Sequence, residues 1–464
     1  MLVYRQGGQK MYIQDTIAAV ATPLGTGGVG IIRVSGDRAL TYGTKLFKPK
    51  RINTIAPGRM YYGDFTDQRG KHIDTGLFVW FQSPRSFTGE DVVEFHCHGG
   101  IVVLNSMLKA LFELGVRLAE PGEFSKRAFL NGQIDLAQAE SIADLISASS
   151  EKAADIARSH YKGKLSAVIE ESREQVVSVL AWMEAEIDYP EADLDALGQE
   201  EALSTLTQQI AALEELGRTY QEGRIYREGI STVILGSPNV GKSSLLNILA
   251  GEERAIVTDI PGTTRDVLEV PVTIRGIPLR LADTAGIRES GDIVERIGIE
   301  RARKLAAEAD LILLILDTSR PLSEDDDVLL QNVSREKVLV VLNKTDLPQT
   351  VEAEDIRARG FSRVLQISAL HKTGIEELKD EIEGMFVSGS VSSESTFISN
   401  QRHYQALLTA LNLLRQVASN WDTLPLDLLA LDLRHAWQVL GEITGSVWSE
   451  DLLNDIFQRF CLGK

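Results

Sequence analysis

The sequence predicts a multidomain α/β protein, because segments of three different textures follow one another along the chain. From about Asp15 to Gly115, short β-rich runs such as TGLFVWFQ mix with turns and one helical stretch, a pattern typical of an α+β domain. From Gly229 to about Met385, continuous apolar runs such as STVILG and LILLILD alternate with helical segments. Apolar runs of this kind indicate a parallel sheet covered by helices on both faces.

Helical periodicity dominates on both sides of this second region. Upstream, apolar residues follow the i, i+3, i+4, i+7 spacing of one helix face at Ala139, Ile142, Ala143 and Ile146. Downstream, helical segments such as HYQALLTALNLLRQVA return after the linker VSGSVSSES. Because the termini of a compact domain often lie close together, the simplest architecture inserts the second region into one discontinuous all-helical domain.

The length of 464 residues suggests several domains, and the changes of pattern give their predicted boundaries. We predict an N-terminal extension at 1–14, an α+β domain at 15–130, a first helical part at 131–225, an inserted α/β domain at 226–388 and a second helical part at 389–464.

Composition limits the function classes. With 48 Lys and Arg against 66 Asp and Glu, the net charge is −18. Since polyanion binding draws on clustered Lys and Arg, the chain is not expected to wrap nucleic acid by itself. No apolar run approaches the roughly 20 residues of a membrane-spanning helix, so we expect no membrane partner. The two cysteines, Cys97 and Cys461, give no disulfide framework, which favours a reducing, cytoplasmic location.

The clearest chemical motif is GSPNVGKSSLLN, at residues 236–247, which fits G-x-x-x-x-G-K-[ST] between an apolar strand and a helix. Its glycines allow the backbone to curl so that N–H groups face phosphate oxygens, and the lysine can neutralise the β- and γ-phosphates. The serine after the lysine can bind Mg²⁺ through its hydroxyl. The predicted nucleotide contacts in this loop are Gly236, Asn239, Val240, Gly241, Lys242, Ser243 and Ser244.

Four further motifs follow in the order expected of a Ras-like P-loop GTPase domain: PGTTRD, DTAG, NKTD and SAL. A threonine of PGTTRD and the aspartate of DTAG can reach the Mg²⁺ shell. The carboxylate of NKTD can accept two hydrogen bonds from guanine, an arrangement that adenine does not offer. The sequence therefore predicts GTP binding, with further contacts from Asp283, Thr284, Ala285, Gly286, Asn343, Lys344, Asp346, Ser368, Ala369 and Leu370.

Hydrolysis needs a group that the Ras-like pattern does not supply in this chain. The position after DTAG, a glutamine in Ras-like GTPases, is Ile287, which cannot hydrogen-bond the attacking water. Among the carboxylates that follow, Glu289, Asp292 and Glu295, we favour Glu295; a solvated helix carboxylate is the alternative. No arginine finger is identified, although Arg265 lies near the switch.

The phosphate-binding loop suggests a source of positive charge in place of an arginine. The amide oxygen of Asn239 can hold a monovalent cation beside the phosphates, next to the charge of Lys242. We therefore expect K⁺-stimulated hydrolysis in which both residues contribute to catalysis.

Several long stretches together resemble the MnmE (TrmE) family of tRNA-modification GTPases. They are DTIAAVATPLGTGGVGIIRVSG, SFTGEDVVEFHCHGG, EPGEFSKRAFLNGQIDLAQAESIADLI, IVTDIPGTTRD and the terminal FCLGK. The resemblance implies a folate-binding N-terminal domain that dimerises, a helical domain and an inserted Ras-like domain. It also implies a heterotetramer of the homodimer with an FAD-dependent MnmG (GidA) partner. Together they would add an aminomethyl or carboxymethylaminomethyl group at C5 of the wobble uridine of certain tRNAs.

The resemblance also implies roles for individual positions. Around the nucleotide it implies K⁺ ligation by Asn239, Thr258, Ile260 and Thr263, an Mg²⁺-linked Thr264 and a water-orienting Glu295. For the tetrahydrofolate derivative, 5-formyl or 5,10-methylene, it implies contacts from Arg33, from Glu90 or Glu94 at the pterin edge, from Gln133, where the family is expected to carry a lysine, and from Lys464.

Two cysteine-containing motifs need separate interpretation. In FHCHGG, His96 and His98 point one way along a strand and Cys97 the other, so we predict no metal site there. In the terminal FQRFCLGK, Cys461 is either a thiol with a chemical role, beside the cationic Lys464, or a small apolar residue near the end of a helix.

Two other function classes share some of these features. A ribosome-assembly GTPase would carry the same nucleotide motifs beside a basic RNA-binding domain, whereas the flanking helices contain the acidic stretch EAEIDYPEADLDALGQEEA. A lipid-anchored GTPase would carry aliphatic residues after its terminal cysteine, which CLGK does not supply.

Overall fold

The computed structural model describes residues 3–4, 10–11, 15–23, 25–51, 54–189, 196–252, 270–282, 306–387, 396–460 and 462–463. The chain divides into two units. The first comprises residues 1–143 and 441–464, and the second comprises residues 144–440.

A seven-stranded sheet forms the centre of the first unit, in the strand order β5-β6-β7-β8-β4-β3-β9. Neighbouring strands are antiparallel, except that β3 and β9 are parallel. Two short strands near the N-terminus, β1 (Val3–Tyr4) and β2 (Lys10–Met11), form a separate antiparallel pair. The strands of the large sheet are β3 (Ile17–Val20), β4 (Gly27–Ser35), β5 (Phe47–Pro49), β6 (Met60–Thr66), β7 (His72–Phe81), β8 (Val92–Gly99) and β9 (Arg117–Leu118).

Aromatic rings fill the core on one face of this sheet. Phe47 stacks on Phe78 with ring centroids 4.6 Å apart, and Phe95 meets both Phe65 and Phe78 edge-on. Such pairs are the geometries that ring quadrupoles favour. The helices of this unit are α1 (Ala39–Leu46), α2 (Ile101–Glu113), α3 (Glu123–Leu130), most of α4 (Leu136–Ser147) and, at the C-terminus, α15 (Glu450–Phe457).

The C-terminal helix α15 packs against α3 and α4 within the first unit. Its apolar residues Leu453 and Phe457 share a buried cluster with Leu136 and Ala139. The side-chain oxygen of Ser449 caps the helix by accepting a hydrogen bond from the Leu452 N–H. The α+β character predicted for the N-terminal region is therefore confirmed, with a C-terminal helix added to it.

The second unit contains long helices and a second sheet. The helices outside the sheet region are α5 (Glu151–Tyr161), α6 (Lys164–Asp188), α7 (Ala196–Arg218), α8 (Tyr220–Glu228), α13 (Gln401–Ser419) and most of α14 (Leu426–Thr444). Buried residues of α13 recur every three or four positions, as the amphipathic pattern predicts. In the part of the chain that the structure describes, no helix is long and apolar enough to cross a membrane.

The second sheet has six strands in the order β11-β12-β10-β13-β14-β15. All neighbouring pairs are parallel except β11 with β12. The strands are β10 (Ile230–Leu235), β11 (Val270–Ile274), β12 (Ile277–Ala282), β13 (Leu311–Asp317), β14 (Val338–Asn343) and β15 (Val364–Gln366). The helices are α9 (Lys242–Glu252), α10 (Glu324–Asn332), α11 (Ala353–Ala358) and α12 (Ile375–Phe386).

Strand β13 shows why this sheet reads as continuous apolar runs. Its successive residues belong in turn to two separate core clusters, one on each face of the sheet. Leu313 belongs to one cluster and Leu314 to the other. Both faces are therefore covered, and the predicted parallel sheet is confirmed. The antiparallel edge strand β11 was not predicted; it forms a hairpin through Arg275 and Gly276, whose φ angles of 51° and 81° suit a two-residue turn.

Candidate nucleotide-binding site

The phosphate-binding loop joins the end of β10 to the start of α9. Gly236 and Gly241 have φ angles of 147° and 102°, a region that favours glycine. A Cβ atom on Gly241 would lie 2.2 Å from Nδ2 of Asn343, and one on Gly236 would lie 2.3 Å from the carbonyl oxygen of Ile315. Both glycines are therefore required by the backbone conformation and by the close packing beneath the loop.

Lys242 folds back across this loop. Its ammonium group donates hydrogen bonds to the carbonyl oxygens of Gly236 at 2.6 Å and Ser237 at 2.8 Å. Asn239, Ser243 and other residues on the outer side of the loop are exposed. The N-terminus of α9 thus presents backbone N–H groups and a cationic side chain, the combination that binds phosphate.

Asn343, at the end of β14, connects three loops through one buried amide. Its Nδ2 donates to the carbonyl oxygen of Val240 at 2.8 Å, and its Oδ1 accepts from the Ala369 N–H at 3.0 Å. Asn343 is only 2% exposed to solvent. The phosphate-binding loop, NKTD and SAL are therefore held together at one point.

Asp346 is held at the edge of this assembly by the next motif. Ser368 Oγ donates to its Oδ1 at 2.5 Å, and this hydrogen bond is the main reason why the pKa of Asp346 lies below its usual value. The carboxylate is exposed and ionised at neutral pH, as acceptance of hydrogen bonds from guanine requires. Leu370 is 78% exposed, whereas Ser368 and Ala369 are buried.

The structure thus brings together the predicted residues of the phosphate-binding loop, NKTD and SAL. Other predicted residues lie outside the described part of the chain: Thr258, Ile260, Thr263, Thr264, Asp283, Thr284, Ala285, Gly286, Glu295, Cys461 and Lys464.

The sequence analysis missed two buried carboxylates beside the nucleotide loops. Asp317, at the end of β13, accepts a hydrogen bond from Lys344 at 2.6 Å. Burial opposes its ionisation, but hydrogen bonds from Lys344 and Ser319 hold the pKa of Asp317 below its usual value. Asp326, on α10, contacts the phosphate-binding loop itself. Both carry a weak sequence signal: Asp317 ends an apolar strand, and Asp326 is the fourth residue of a capping box that begins at Ser323.

Of the predicted folate residues, Arg33 and Glu94 lie opposite each other on β4 and β8. Arg33 Nε donates to Glu94 Oε1 at 2.9 Å, and the guanidinium carbon lies 5.7 Å from the centre of the Phe87 ring and 5.8 Å from that of Phe124. Glu94 also contacts His96 at 3.3 Å. The arginine is therefore held between two aromatic rings by a half-buried carboxylate.

Glu90, the other candidate for the pterin edge, is engaged differently. It accepts a hydrogen bond from Ser35 at 2.7 Å and pairs with Arg127 at 3.2 Å. The Arg127 side chain is only 5% exposed and also pairs with Asp15 and Glu123. Glu90 thus belongs to a buried ionic cluster.

Gln133 lies against Gly89, the residue that directly precedes Glu90 in the chain. A Cβ atom on Gly89 would lie 3.1 Å from Gln133 Nε2. Gln133 also lines an open groove of about 380 Å³, together with Phe129, Gln138 and Ser446. This groove lies wholly within the first unit.

The FHCHGG segment spreads its side chains over different partners. Cys97 is buried in the core of the sheet, where burial is the main cause that raises the pKa of its thiol to about 12. His98 Nδ1 lies 2.8 Å from Asp74, and His96 contacts Glu94. Within the described ranges, no group of three or more His, Cys, Asp or Glu side chains could hold a metal ion.

The C-terminal tail approaches the end of β3. A Cβ atom on Gly463 would lie 2.1 Å from the carbonyl oxygen of Val20, and the φ angle of Gly463 is 91°. The glycine of CLGK is therefore required by its close contact with the end of β3.

Comparison with known proteins identifies the family. A model of the MnmE helical domain matches residues 136–461, and a model of the N-terminus of the GTP-binding protein TrmE matches residues 16–133. The tRNA modification GTPase MnmE of Geobacillus thermodenitrificans is 46% identical over 462 residues, which cover 97% of this chain and 99% of that protein. The chain belongs to the MnmE family. The MnmE of Bacillus subtilis is 45% identical over 458 residues, covering 97% of this chain and all of that protein.

MnmE membership confirms the predicted resemblance, the multidomain fold class and the assignment as a GTPase involved in tRNA modification. Among solved structures, Era of Aquifex aeolicus bound to GDP and AlF4− is 26% identical and covers 40% of this chain and 66% of that chain. Its TM-score of 0.27 is too low to support a conclusion about the fold.

Proposed function

We propose that the protein is a K⁺-activated GTPase that acts on tRNA with an FAD-dependent partner. Together they would add an aminomethyl or carboxymethylaminomethyl group at C5 of the wobble uridine of certain tRNAs. The observation that carries this proposal is the buried amide of Asn343, which joins the phosphate-binding loop to the guanine-binding motifs. It occurs in a chain whose relatives of equal length are named tRNA modification GTPases.

In the proposed site, each nucleotide group has a partner. The backbone from Gly236 to Ser244, which includes Val240, surrounds the phosphates. Lys242 moves from its loop carbonyls to the β- and γ-phosphates. Asp346, with Lys344 and the backbone of Ala369 and Leu370, selects guanine. Asp283 and the backbone from Thr284 to Gly286 complete the γ-phosphate side.

Mg²⁺ suits the oxygen donors near the start of α9. The Ser243 hydroxyl is exposed on the first turn of that helix, and a hydroxyl is a hard ligand of the kind that Mg²⁺ prefers. Ser243 and Thr264 would hold the ion, which supplies positive charge to the β- and γ-phosphates when it is bound.

Hydrolysis in the proposed mechanism depends on Glu295 and Asn239. Glu295 orients the attacking water, because Ile287 cannot. Asn239 is exposed at the tip of the loop with a φ angle of 65°, so its amide oxygen is available to K⁺ together with Thr258, Ile260 and Thr263. Equal turnover in KCl and NaCl, unchanged in Asn239→Ala, would contradict this role.

The one-carbon unit would come from 5,10-methylene- or 5-formyl-tetrahydrofolate bound in the first unit. Arg33, flanked by two aromatic rings, is the strongest candidate contact, and either Glu94, its ion-pair partner, or Glu90, the partner of Arg127, would meet the pterin edge. Gln133 and Lys464 are further candidates, and Cys461, three residues from the C-terminus, is a candidate for a chemical role.

The proposed assembly is a homodimer joined to MnmG-type subunits in a heterotetramer. The partner supplies FAD and contributes to holding the tRNA, since this chain has a net charge of −18. We propose that this modification reaction takes place in the cytoplasm.

Nucleoside mass spectrometry of tRNA tests the function directly. A strain lacking this protein should lose the C5 modification of the wobble uridine, and a plasmid copy should restore it. Unchanged wobble uridines in the deletion strain, together with a defect in ribosome assembly, would favour a ribosome-assembly GTPase instead.

A further inference from the structure

We propose that Asp326 is a positioning residue that fixes the phosphate-binding loop through Ser237 and thereby sets how tightly the protein holds GTP. This inference rests on the proposed GTP site and adds a residue that lies outside every nucleotide motif.

The central contact is a buried hydrogen bond between distant segments. Ser237, the second residue of the phosphate-binding loop, donates through Oγ to Asp326 Oδ1 at 2.6 Å. Ser237 is 6% exposed and Asp326 is 1% exposed. Because water does not compete for buried groups, a charge-assisted hydrogen bond at this place restricts the loop strongly.

Asp326 is itself held firmly. Its Oδ2 accepts hydrogen bonds from the backbone N–H of Ser323 at 3.0 Å and from the Ser323 hydroxyl at 2.7 Å. Arg320 lies 3.4 Å from the same oxygen. Burial raises the pKa of Asp326, but these hydrogen bonds and that of Ser237 outweigh burial and lower it, so the carboxylate is ionised.

The bond reaches the nucleotide side of the loop through the backbone. The carbonyl oxygens of Gly236 and Ser237 hold the ammonium group of Lys242. A shift of Ser237 would therefore move both carbonyls and with them the lysine that neutralises the phosphates.

The loop then has two anchors, one on each side of Asn239. Asn343 holds the carbonyl of Val240, and Asp326 holds the side chain of Ser237. Asn239 has a φ angle of 65°, which is strained for a residue with a side chain. A loop with such a residue at its tip needs fixed points on both sides to keep its shape without nucleotide.

Pre-organisation of this kind affects affinity more than turnover. Without the Ser237 bond, the empty loop would sample other conformations, and part of the binding free energy would be used to restore the binding shape. Nucleotide at saturation restores that shape, so kcat should be largely retained. A hydrogen bond to a charged group corresponds to a change of about tenfold or more in a binding constant.

The test uses the full-length protein with Ser237→Ala and a matched control, Ser150→Ala. Ser237→Ala removes the loop bond and leaves the capping contacts of Asp326 in place. Ser150→Ala removes the side-chain cap of α5, which accepts a hydrogen bond from the Ala153 N–H, and leaves the Ser237–Asp326 bond and its supports in place. Affinity and dissociation rate are measured with mant-GDP, KM and kcat with GTP, and stability by thermal unfolding.

We expect Ser237→Ala to raise the dissociation constant of mant-GDP and the KM for GTP about tenfold with kcat nearly unchanged. Ser150→Ala should lower the melting temperature without changing mant-GDP affinity. In a double-mutant cycle, Ser237→Ala should have little further effect in an Asp326→Ala background, which lacks the acceptor.

Two results would overturn the inference. The first is a wild-type dissociation constant in Ser237→Ala, and the second is an equal loss of affinity in Ser150→Ala, which would assign the effect to general stability. Wild-type protein that fails to bind mant-GDP would instead contradict the proposed function itself.

Discussion

The two polar centres of the molecule are built in opposite ways. The nucleotide site of the second unit consists of loops at the carboxyl ends of parallel strands, and Asn343 and Lys242 hold these loops through backbone atoms. The centre of the first unit is an ionic cluster of side chains, in which Arg127 gathers Asp15, Glu90 and Glu123 from separate segments. Loops whose backbone is shaped by glycine leave short motifs, whereas a cluster of side chains leaves none.

The largest expected effect comes from Gly241→Ala, which should distort the backbone of the nucleotide site without affecting the first unit. The new Cβ would lie 2.2 Å from Asn343 Nδ2, at a φ angle of 102°. We expect the dissociation constant of mant-GDP to rise on the order of 100-fold. Gly251→Ala, on helix α9 after the loop and with open space around its Cβ, is the control and should keep wild-type affinity. Equal affinities in the two variants would refute the backbone requirement.

Arg127→Met should destabilise the first unit and leave the nucleotide site of the second unit intact. It leaves the buried carboxylate of Glu90 without its guanidinium partner and leaves Glu123 with Arg117 alone, which costs about 3 kcal/mol in the stability of the first unit. Hydrogen exchange of β3 and β4 measures this loss, and mant-GDP affinity should stay at the wild-type value. Arg158→Met removes exposed ion pairs and should leave exchange unchanged. Unaltered protection of β3 and β4 in Arg127→Met would show that the cluster does not stabilise the unit.

Acid should weaken the first unit through the same cluster. Burial raises the pKa values of Asp15 and Glu123, but hydrogen bonds from Arg117 and Arg127 outweigh it and hold both below their usual values. Because the unfolded chain then takes up protons first, these groups stabilise the fold above the ordinary carboxyl pKa of about 4. This contribution is lost as the pH falls further, towards their lowered folded pKa values.

Thermal unfolding between pH 7 and pH 3 checks this prediction. Wild-type stability should decrease below about pH 5, and Glu123→Gln should flatten the decrease. An identical slope in the variant would exclude Glu123 as a source of the pH dependence.

The smallest expected effect concerns Cys97, which is buried in the hydrophobic core of the first unit. Its pKa of about 12 keeps it a thiol at neutral pH, and burial shields it. In a Cys461→Ser background, Cys97 should react with DTNB only after unfolding, and Cys97→Ala should leave mant-GDP affinity unchanged. Rapid labelling of this thiol in the native protein would contradict its burial.

The same contrast explains how much the sequence could predict. The phosphate-binding loop, NKTD and SAL were predicted because each is a short motif at the end of an apolar strand. The covered parallel sheet followed from continuous apolar runs, such as that of β13. The antiparallel edge strand β11 was missed because a hairpin turn of Arg275 and Gly276 is a weak signal beside a switch motif.

Contacts between distant segments could not be predicted from the sequence. The Ser237–Asp326 bond spans 89 residues and the Glu90–Arg127 pair spans 37, so neither appears as a spacing. Glu90 and Glu94 were equivalent candidates in the sequence. Only the structure distinguishes a glutamate engaged by buried Arg127 from one that holds Arg33 between aromatic rings.

The most direct test of the proposed GTPase is its steady-state rate of GTP hydrolysis in KCl and in NaCl over a range of protein concentrations. The proposed mechanism predicts a higher rate per subunit in KCl, rising with protein concentration as subunits pair, and loss of the K⁺ response in Asn239→Ala. A rate per subunit independent of both the cation and the protein concentration would contradict it.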